Sequence, residues 1–390
     1  MHDFQTLEIV EVRRETPDAI SVTLRIPDGS REAFRFKPGQ HLTLRTTLAG
    51  EEQRRTYSIC CGPDEAHLRI AIKRVAEGRF SSWANDTLRA GAKIEVMPPT
   101  GRFVLPTSDG TPRHVVALAA GAGITPIMAM LKQTLIGEPN TSFTLIYGNR
   151  TPQSILFREE LEDLKDRHLG RFTLLHVLSR NQESSAPLFE GRITGEKVKA
   201  FAATLFKPAE VAHVFLCGPG SMIKDARNAL LALGMPRERV HFEFFAPAGG
   251  GADRAKAASP PPLTPPRSPS GSPHERPAHS KPEGKGEGNA GGGPVKVEGT
   301  EAIAVLDGIR HRFVVPPGGH VVDAALAAGI RVPYSCKGGM CCTCRARLVE
   351  GKAEMTTNYS LEPWEIERGF ILTCQAVPKS ERLVVDYDQM

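Results

Sequence analysis

Five of the eight cysteines lie in the last 55 residues, and four of these run Cys336-x4-Cys341-x2-Cys344 with Cys374 thirty positions further on. Clustered thiols in a chain large enough to need no disulfide scaffold point to a metal, because a deprotonated thiol is a strong soft ligand. Three close ligands and one distant partner match the spacing of a [2Fe-2S] centre, in which four thiolates hold two irons and electrons move one at a time. A structural zinc site is the alternative reading, although zinc motifs usually supply their ligands as two close pairs. Cys342 gives the loop a fifth thiol. A ligand set using it would have x5 and x1 spacings, so it is read as lying outside the set. Gly338 and Gly339 let the loop bend and bring N–H groups toward the sulfurs, which raises a cluster's potential, or they are ordinary turn glycines.

A second group of residues suits two-electron chemistry. Arg55, Tyr57 and Ser58 form Arg-x-Tyr-Ser at an expected strand end. They offer a cation for a phosphate, an aromatic face for an isoalloxazine ring and a hydroxyl for its polar edge. Gly78, Ser81 and Ser82 follow the strand Leu68–Lys73 and precede a helix, where a pyrophosphate can meet N–H groups, although Gly with Ser also starts many ordinary helices. Gly121-Ala-Gly123-Ile-Thr125-Pro126 follows the apolar strand 114–119 and opens a helix, the placement of a dinucleotide loop. Pro126 stands where a Rossmann fingerprint has its third glycine, so the strict pattern is absent, yet proline suits a first helical turn. Later strand ends carry Gly148-Asn149-Arg150, Ser179-Arg180 and Cys217-Gly218-Pro219, and ligands of open parallel sheets gather at such ends. The plain readings are a buried strand-end thiol for Cys217 and solvated charges for Arg150 and Arg180.

The elements that must position these residues divide the chain. Alternating stretches at 7–12, 21–26, 41–45, 68–73 and 93–97, parted by Gly and Pro turns, predict a small antiparallel barrel or sandwich over 1–105. From 106 to 246, strands at 114–119, 142–147, 172–178 and 213–217 alternate with helices at 126–135, 155–165 and 221–233, which predicts an open parallel α/β sheet. Residues 247–294 are rich in Pro and Gly and contain no Ile, Val, Phe, Tyr or Trp. They cannot repay the entropy of ordering a core and read as a disordered tether. Residues 295–390 form a third unit with strands at 302–306 and 311–315, a helix at 321–328 and the cysteine loop. The 390 residues suffice for such domains, and a net charge of +5 with no dense basic block argues against nucleic acid. No run reaches the roughly 18 apolar residues that span a bilayer, and residues 1–11 lack a leader, so no membrane is expected and the location reads as cytoplasmic.

The last unit resembles the plant-type ferredoxin domain (β-grasp, α+β), including Pro333-Tyr334-Ser335 before the loop and Leu372-Thr373-Cys374-Gln375 at its far ligand. Cys342 departs from the small residue usual there. The chain before the tether resembles the ferredoxin–NADP reductase superfamily, a flavin-binding barrel followed by a nicotinamide domain. That resemblance implies FAD contacts at Arg55, Tyr57, Ser58, Gly78 and Ser82. It implies a nicotinamide loop at Gly121, Gly123 and Thr125, with Cys217 and Gly218 beside the nicotinamide ring. Ser179 and Arg180, with Arg150 near, resemble an NADPH-selecting set, and no Asp or Glu stands ready for a free ribose diol, so NADPH is expected over NADH. The domain order is similar to that of oxygenase reductases. The segments 55–60, 147–161, 350–355, 358–361 and 369–374 are most like the reductase subunits of bacterial phenylacetyl-CoA epoxidases, although the tether is longer than their linkers. The resemblance implies electron flow from NADPH through FAD and [2Fe-2S] to a diiron oxygenase subunit, with Thr125 and Cys217 flanking the hydride transfer and phenylacetyl-CoA bound on the partner. A reductase for another oxygenase, a nitric-oxide-handling reductase (for which no globin-sized segment is present) and an iron–sulfur carrier or redox sensor are the competing readings. Oligomeric state has no signature in the sequence.

Overall fold

The computed structural model describes residues 4–180, 186–245 and 299–389. The tether expected over 247–294 lies outside the described residues. The described residues divide into two compact units, one of residues 4–245 together with Pro333–Thr343, the other of the remaining residues from 299 onward.

The first sheet contains β1 (Gln5–Thr16), β2 (Ala19–Arg25), β3 (His41–Leu48), β4 (Glu51–Ser58), β5 (Leu68–Lys73) and, after helix α1 (Arg79–Thr87), β6 (Lys93–Thr100). Their order is β4-β3-β6-β1-β2-β5, antiparallel throughout. An antiparallel bridge between Ile59 and Ile70 and the bond from Cys60 N–H to Arg69 O (2.8 Å) join the two edge strands, closing the sheet as a barrel. Alternate residues, among them Leu7, Ile9, Leu42, Leu44, Ile70 and Ile72, fill its interior, the period-2 burial that pleated strands require. The polar run Glu51–Ser58 carries no such signal. It is a strand because it pairs with β3, in register Leu42 with Tyr57 and His41 with Ser58.

The second sheet contains β7 (Arg113–Ala120), β8 (Thr141–Asn149), β9 (Phe172–Leu178), β10 (Val211–Gly218) and β11 (Val240–Phe244). The helices are α2 (Ile124–Gly137), α3 (Arg158–Arg167), α4 (Gly195–Leu205) and α5 (Gly220–Ala232). All strands are parallel in the order β11-β10-β7-β8-β9. The central strands read as unbroken apolar runs because one core packs on each face. The chain leaves β7 toward β8 and β9, then returns to the other side of β7, so the topological switch falls between β7 and β10. Crevices at switch points are where such sheets bind ligands.

The third sheet is β13-β12-β18-β14-β16, built from β12 (Thr300–Leu306), β13 (Ile309–Val315), β14 (Arg345–Glu350), β16 (Phe370–Leu372) and β18 (Arg382–Asp386). Helix α6 (Val321–Ala327), a small ladder of β15 (Ala353–Met355) with β17 (Ala376–Pro378), and α7 (Pro363–Glu367) complete it. β12 and β18 are parallel and the other neighbours antiparallel, the α+β arrangement expected of a β-grasp. Helix α4, strand β11 and strands β14 to β18 are additions to the sequence expectation. Three of these strands have only three residues, too few to show a period.

Candidate electron-transfer site

Pairing of β4 with β3 sets Arg55, Tyr57 and Ser58 near one end of the barrel. Ser58 is buried, while the half-buried Tyr57 ring packs on Phe80 of α1 at 5.8 Å. Burial pushes the Tyr57 hydroxyl well above its ordinary range, so it stays protonated. Arg55 donates from Nη1 to Arg54 O at 2.7 Å. Gly78 is the N-cap of α1, which has no side-chain cap and no acidic residue in its first turn. An uncapped first turn of N–H groups fits a phosphate. Ser81 is turned inward, accepting from Val75 N–H (3.1 Å) and donating to Gly78 O (3.2 Å), so it braces the turn, and Ser82 is the half-buried hydroxyl beside it. These donors fit a flavin dinucleotide.

At the switch point, Gly121 adopts φ +53° and Gly123 is the uncapped N-cap of α2. A Cβ on Gly123 would lie 2.2 Å from the Cys217 carbonyl oxygen, and one on Gly218 3.1 Å from Ala120 Cβ. Both glycines let the loop after β7 and the end of β10 approach backbone to backbone. Thr125 is buried in the first turn of α2 with its hydroxyl donating to Ala122 O at 3.0 Å. Tyr147 Oη donates to Gly121 O at 2.9 Å, fixing the loop from β8. Arg150 and Arg180 are exposed and adjacent, since Arg180 N–H donates to Arg150 O at 2.8 Å and Ser179 N–H to Asn149 O at 2.9 Å. Two exposed arginines on the ends of neighbouring strands suit an extra phosphate.

Cys217 is fully buried, and burial, with the charge of Glu243 adding, pushes its thiol well above the ordinary range. Glu243 is its register partner on β11. The sequence reading missed this carboxylate and the buried His41 opposite it, although an acidic residue inside the apolar run 240–245 is itself a signal. His41 Nδ1 lies 3.9 Å from Glu243 Oε1, too far for a hydrogen bond. Burial pushes Glu243 up to about 8 and His41 down to about 4, so both are neutral near pH 7. Glu243 Oε2 is buried without a hydrogen-bond partner. A protonated carboxyl beside a neutral thiol can donate a hydrogen bond at the switch point without bringing charge.

In the cysteine loop, the Cys341 thiol, opposed by burial, and the N–H groups of Gly338, Met340 and Cys341 hold Cys336 well below the usual thiol range; Gly338 N lies 3.3 Å from Cys336 Sγ. Cys344 immediately precedes β14 and Cys374 follows β16; both are buried, and both lie close enough to Tyr387 to act on its hydroxyl. Gln375 Nε2 stands 3.8 Å from Cys374 Sγ. Cys336 and Cys341 thus lie within hydrogen-bonding reach of each other, and Cys344 and Cys374 both lie beside Tyr387. A [2Fe-2S] centre takes two thiolates per iron, and thiols of this chemistry suit it. Cys342 takes φ +54°, a conformation that glycine adopts without strain.

Three family models match in the order of the three sheets: an oxidoreductase FAD-binding domain over 6–105, an oxidoreductase NAD-binding domain over 117–228, and a 2Fe-2S iron-sulfur cluster binding domain over 304–379. Fold and sites together define an NAD(P)H-dependent oxidoreductase that carries FAD, nicotinamide and [2Fe-2S] domains on one chain and transfers electrons between them. The chain belongs to the ferredoxin-reductase family of such flavoproteins. It is 39% identical over 389 residues to one of the subunits of the 1,2-phenylacetyl-CoA epoxidase of Escherichia coli K12, covering 100% of this chain and 99% of that protein. It is 34% identical to the ferredoxin reductase component of 3-ketosteroid-9-alpha-monooxygenase from Rhodococcus rhodochrous, covering 98% and 96%. Among solved structures, phthalate dioxygenase reductase aligns over 98% of both chains with TM-score 0.57 and 25% identity. An intact type IV self-sufficient cytochrome P450 monooxygenase shares the fold over 98% of this chain and 41% of that one, at TM-score 0.63 and 20% identity. No helix among the described residues is long and apolar enough to cross a membrane.

Proposed function

We propose that the chain is the reductase component of a multicomponent oxygenase, taking electrons from NADPH and delivering them singly to a diiron oxygenase subunit that epoxidises phenylacetyl-CoA. The observation that carries this reading is the 39% identity over 389 residues, 100% of this chain, to an epoxidase component covered to 99%. Bound FAD supplies the conversion between hydride transfer and single-electron transfer. The chain's residues bind and orient. Arg55 and the α1 N-terminus after Gly78, with Ser82, hold the flavin phosphates, and Tyr57 and Ser58 border the ring. Gly121, Gly123 and Thr125 shape the nicotinamide loop, Gly218 lets the ring approach, and Cys217 with Glu243 excludes water behind it. Arg150 and Arg180 select the 2′-phosphate. Cys336, Cys341, Cys344 and Cys374 are the cluster ligands. Domain limits of 1–105, 106–246 and 295–390 follow from this assignment.

Anaerobic titration with NADPH and separately NADH, followed by visible spectra and EPR, tests the relay. Flavin bleaching and a rhombic one-electron signal should develop at lower NADPH than NADH. Absence of flavin, or a cluster that neither nucleotide reduces, would sink the reductase reading. Acceptor identity is tested by adding the oxygenase subunits of a phenylacetyl-CoA epoxidase with phenylacetyl-CoA and oxygen. Epoxide formation supports the assignment, and its absence with a working relay moves the chain to another oxygenase, the reading favoured by the 34% identity to a steroid monooxygenase component.

A further inference from the structure

The backbone of Cys344 and Cys374 is held from behind by a chain of buried polar groups that ends just past the last strand. Thr373 is fully buried, and all of its polar groups are engaged. Its N–H (3.1 Å) and its hydroxyl (2.7 Å) both donate to the Cys344 carbonyl, and its own carbonyl accepts from Val322 N–H in the first turn of α6 (3.2 Å). A threonine hydroxyl has one proton, and here it goes to Cys344. The bond at 2.8 Å between Tyr387 Oη and Thr373 Oγ1 therefore runs from the tyrosine to the threonine. Tyr387 is 6% exposed and is anchored in turn by its N–H to Val305 O of β12 at 3.0 Å.

This chain has a definite mechanical effect. The Cys344 carbonyl receives two bonds from one residue, so the peptide after that thiol cannot rotate without breaking both. Thr373 also immediately precedes Cys374, so a single side chain ties the backbones of both thiols. Hydrogen bonds in series polarise and strengthen one another in a low-dielectric interior. Packing alone does not call for a tyrosine here, since phenylalanine would fill the same volume without a hydroxyl that must be desolvated.

We propose that Tyr387, acting through Thr373, is a positioning residue for the iron–sulfur centre, fixing Cys344 and Cys374 in the orientation the two thiolates need around their iron. The proposal rests on the reading of these cysteines as ligands. In the full-length protein, Tyr387→Phe removes the tyrosine's bond to Thr373 and Thr373→Val removes both side-chain bonds there, whereas Thr373→Ser keeps the hydroxyl. The readouts are the EPR line shape of the dithionite-reduced cluster and the rate at which a ferrous chelator bleaches it, with NADPH-driven flavin bleaching as the control for folding of the first unit.

Tyr387→Phe and Thr373→Val should alter the g-anisotropy and lose the cluster at least three-fold faster, with Thr373→Ser matching the parent. A Tyr387→Phe protein with the parental line shape and parental bleaching rate overturns the proposal. Should Thr373→Val fail to fold, Tyr387→Phe against the parent decides alone. A Cys344→Ser protein that keeps the parental cluster overturns the ligand reading itself and the proposal with it, a result distinguishable from a normal cluster in Tyr387→Phe alone.

Discussion

Glu243 shows how one buried side chain couples the site to stability. Its pKa is about 8 in the fold against an ordinary 4.5, so between these values the native state holds a proton that the unfolded chain has released. Stability from this group is therefore full below about pH 4.5 and lost as pH rises toward 8, by on the order of 5 kcal/mol. Glu243→Gln removes that loss. The variant should match the parent near pH 5 and exceed it at pH 8.5 in urea unfolding; a difference that does not vary with pH would contradict the buried, protonated carboxyl. His41, pushed down to about 4, has the opposite slope, but it contributes equally to both proteins and cancels. At Cys342 the prediction concerns iron. With φ at +54°, glycine removes a strain of about 1 kcal/mol, so Cys342→Gly should keep full iron content whereas Cys341→Ser should lose it. Iron analysis and visible spectra decide the ligand register.

Among the elements, β5, α2 and α3 are joined by a charge network that no single one of them predicts. Lys132 of α2, 7% exposed, donates to Glu65 at 2.6 Å and pairs with Glu160 of α3, which also receives Arg69 of β5 at 2.7 Å. Arg69 further stacks over Phe157, the residue that opens α3 at φ +57°. Removing the buried Lys132 leaves Glu65 to solvent and Glu160 with Arg69 alone, so the loss is part of what a fully buried pair would cost. Lys132→Met should destabilise the first unit by roughly 2 kcal/mol, allowing for the partial exposure of Glu65 and Glu160. Urea unfolding followed by flavin release measures this, and an unchanged midpoint would make the network a surface ornament.

For the whole molecule, the flavin and nicotinamide residues all precede 245 and the four thiols all follow 299, so the two halves of the relay can be cut apart chemically. Cys374→Ser should abolish the cluster's absorbance and lower one-electron delivery to a protein acceptor by at least 100-fold. The rate of flavin bleaching by NADPH should stay within about two-fold of the parent. Stopped-flow spectra separate the two steps, and a parallel loss of flavin reduction would mean that the ferredoxin half is needed to build the nucleotide site.

The cysteine spacing, the Arg-x-Tyr-Ser motif and the change from alternating to unbroken apolar strands were legible in the chain itself, because ligand number, side-chain type and local period are written in consecutive residues. From them came the three modules, the cofactor classes and the candidate site residues. Glu243 and His41 were not legible. They lie about two hundred residues apart, and what makes them notable is burial and a 3.9 Å approach that only the packed sheets create. The strand β4 exists by pairing rather than by pattern, and Tyr387 lies far from the cysteine loop in sequence until β18 places it against Thr373. Desolvation and register are properties of the assembled fold, so the shifted carboxyl, the neutral histidine and the tyrosine behind the cluster were decided by tertiary structure alone.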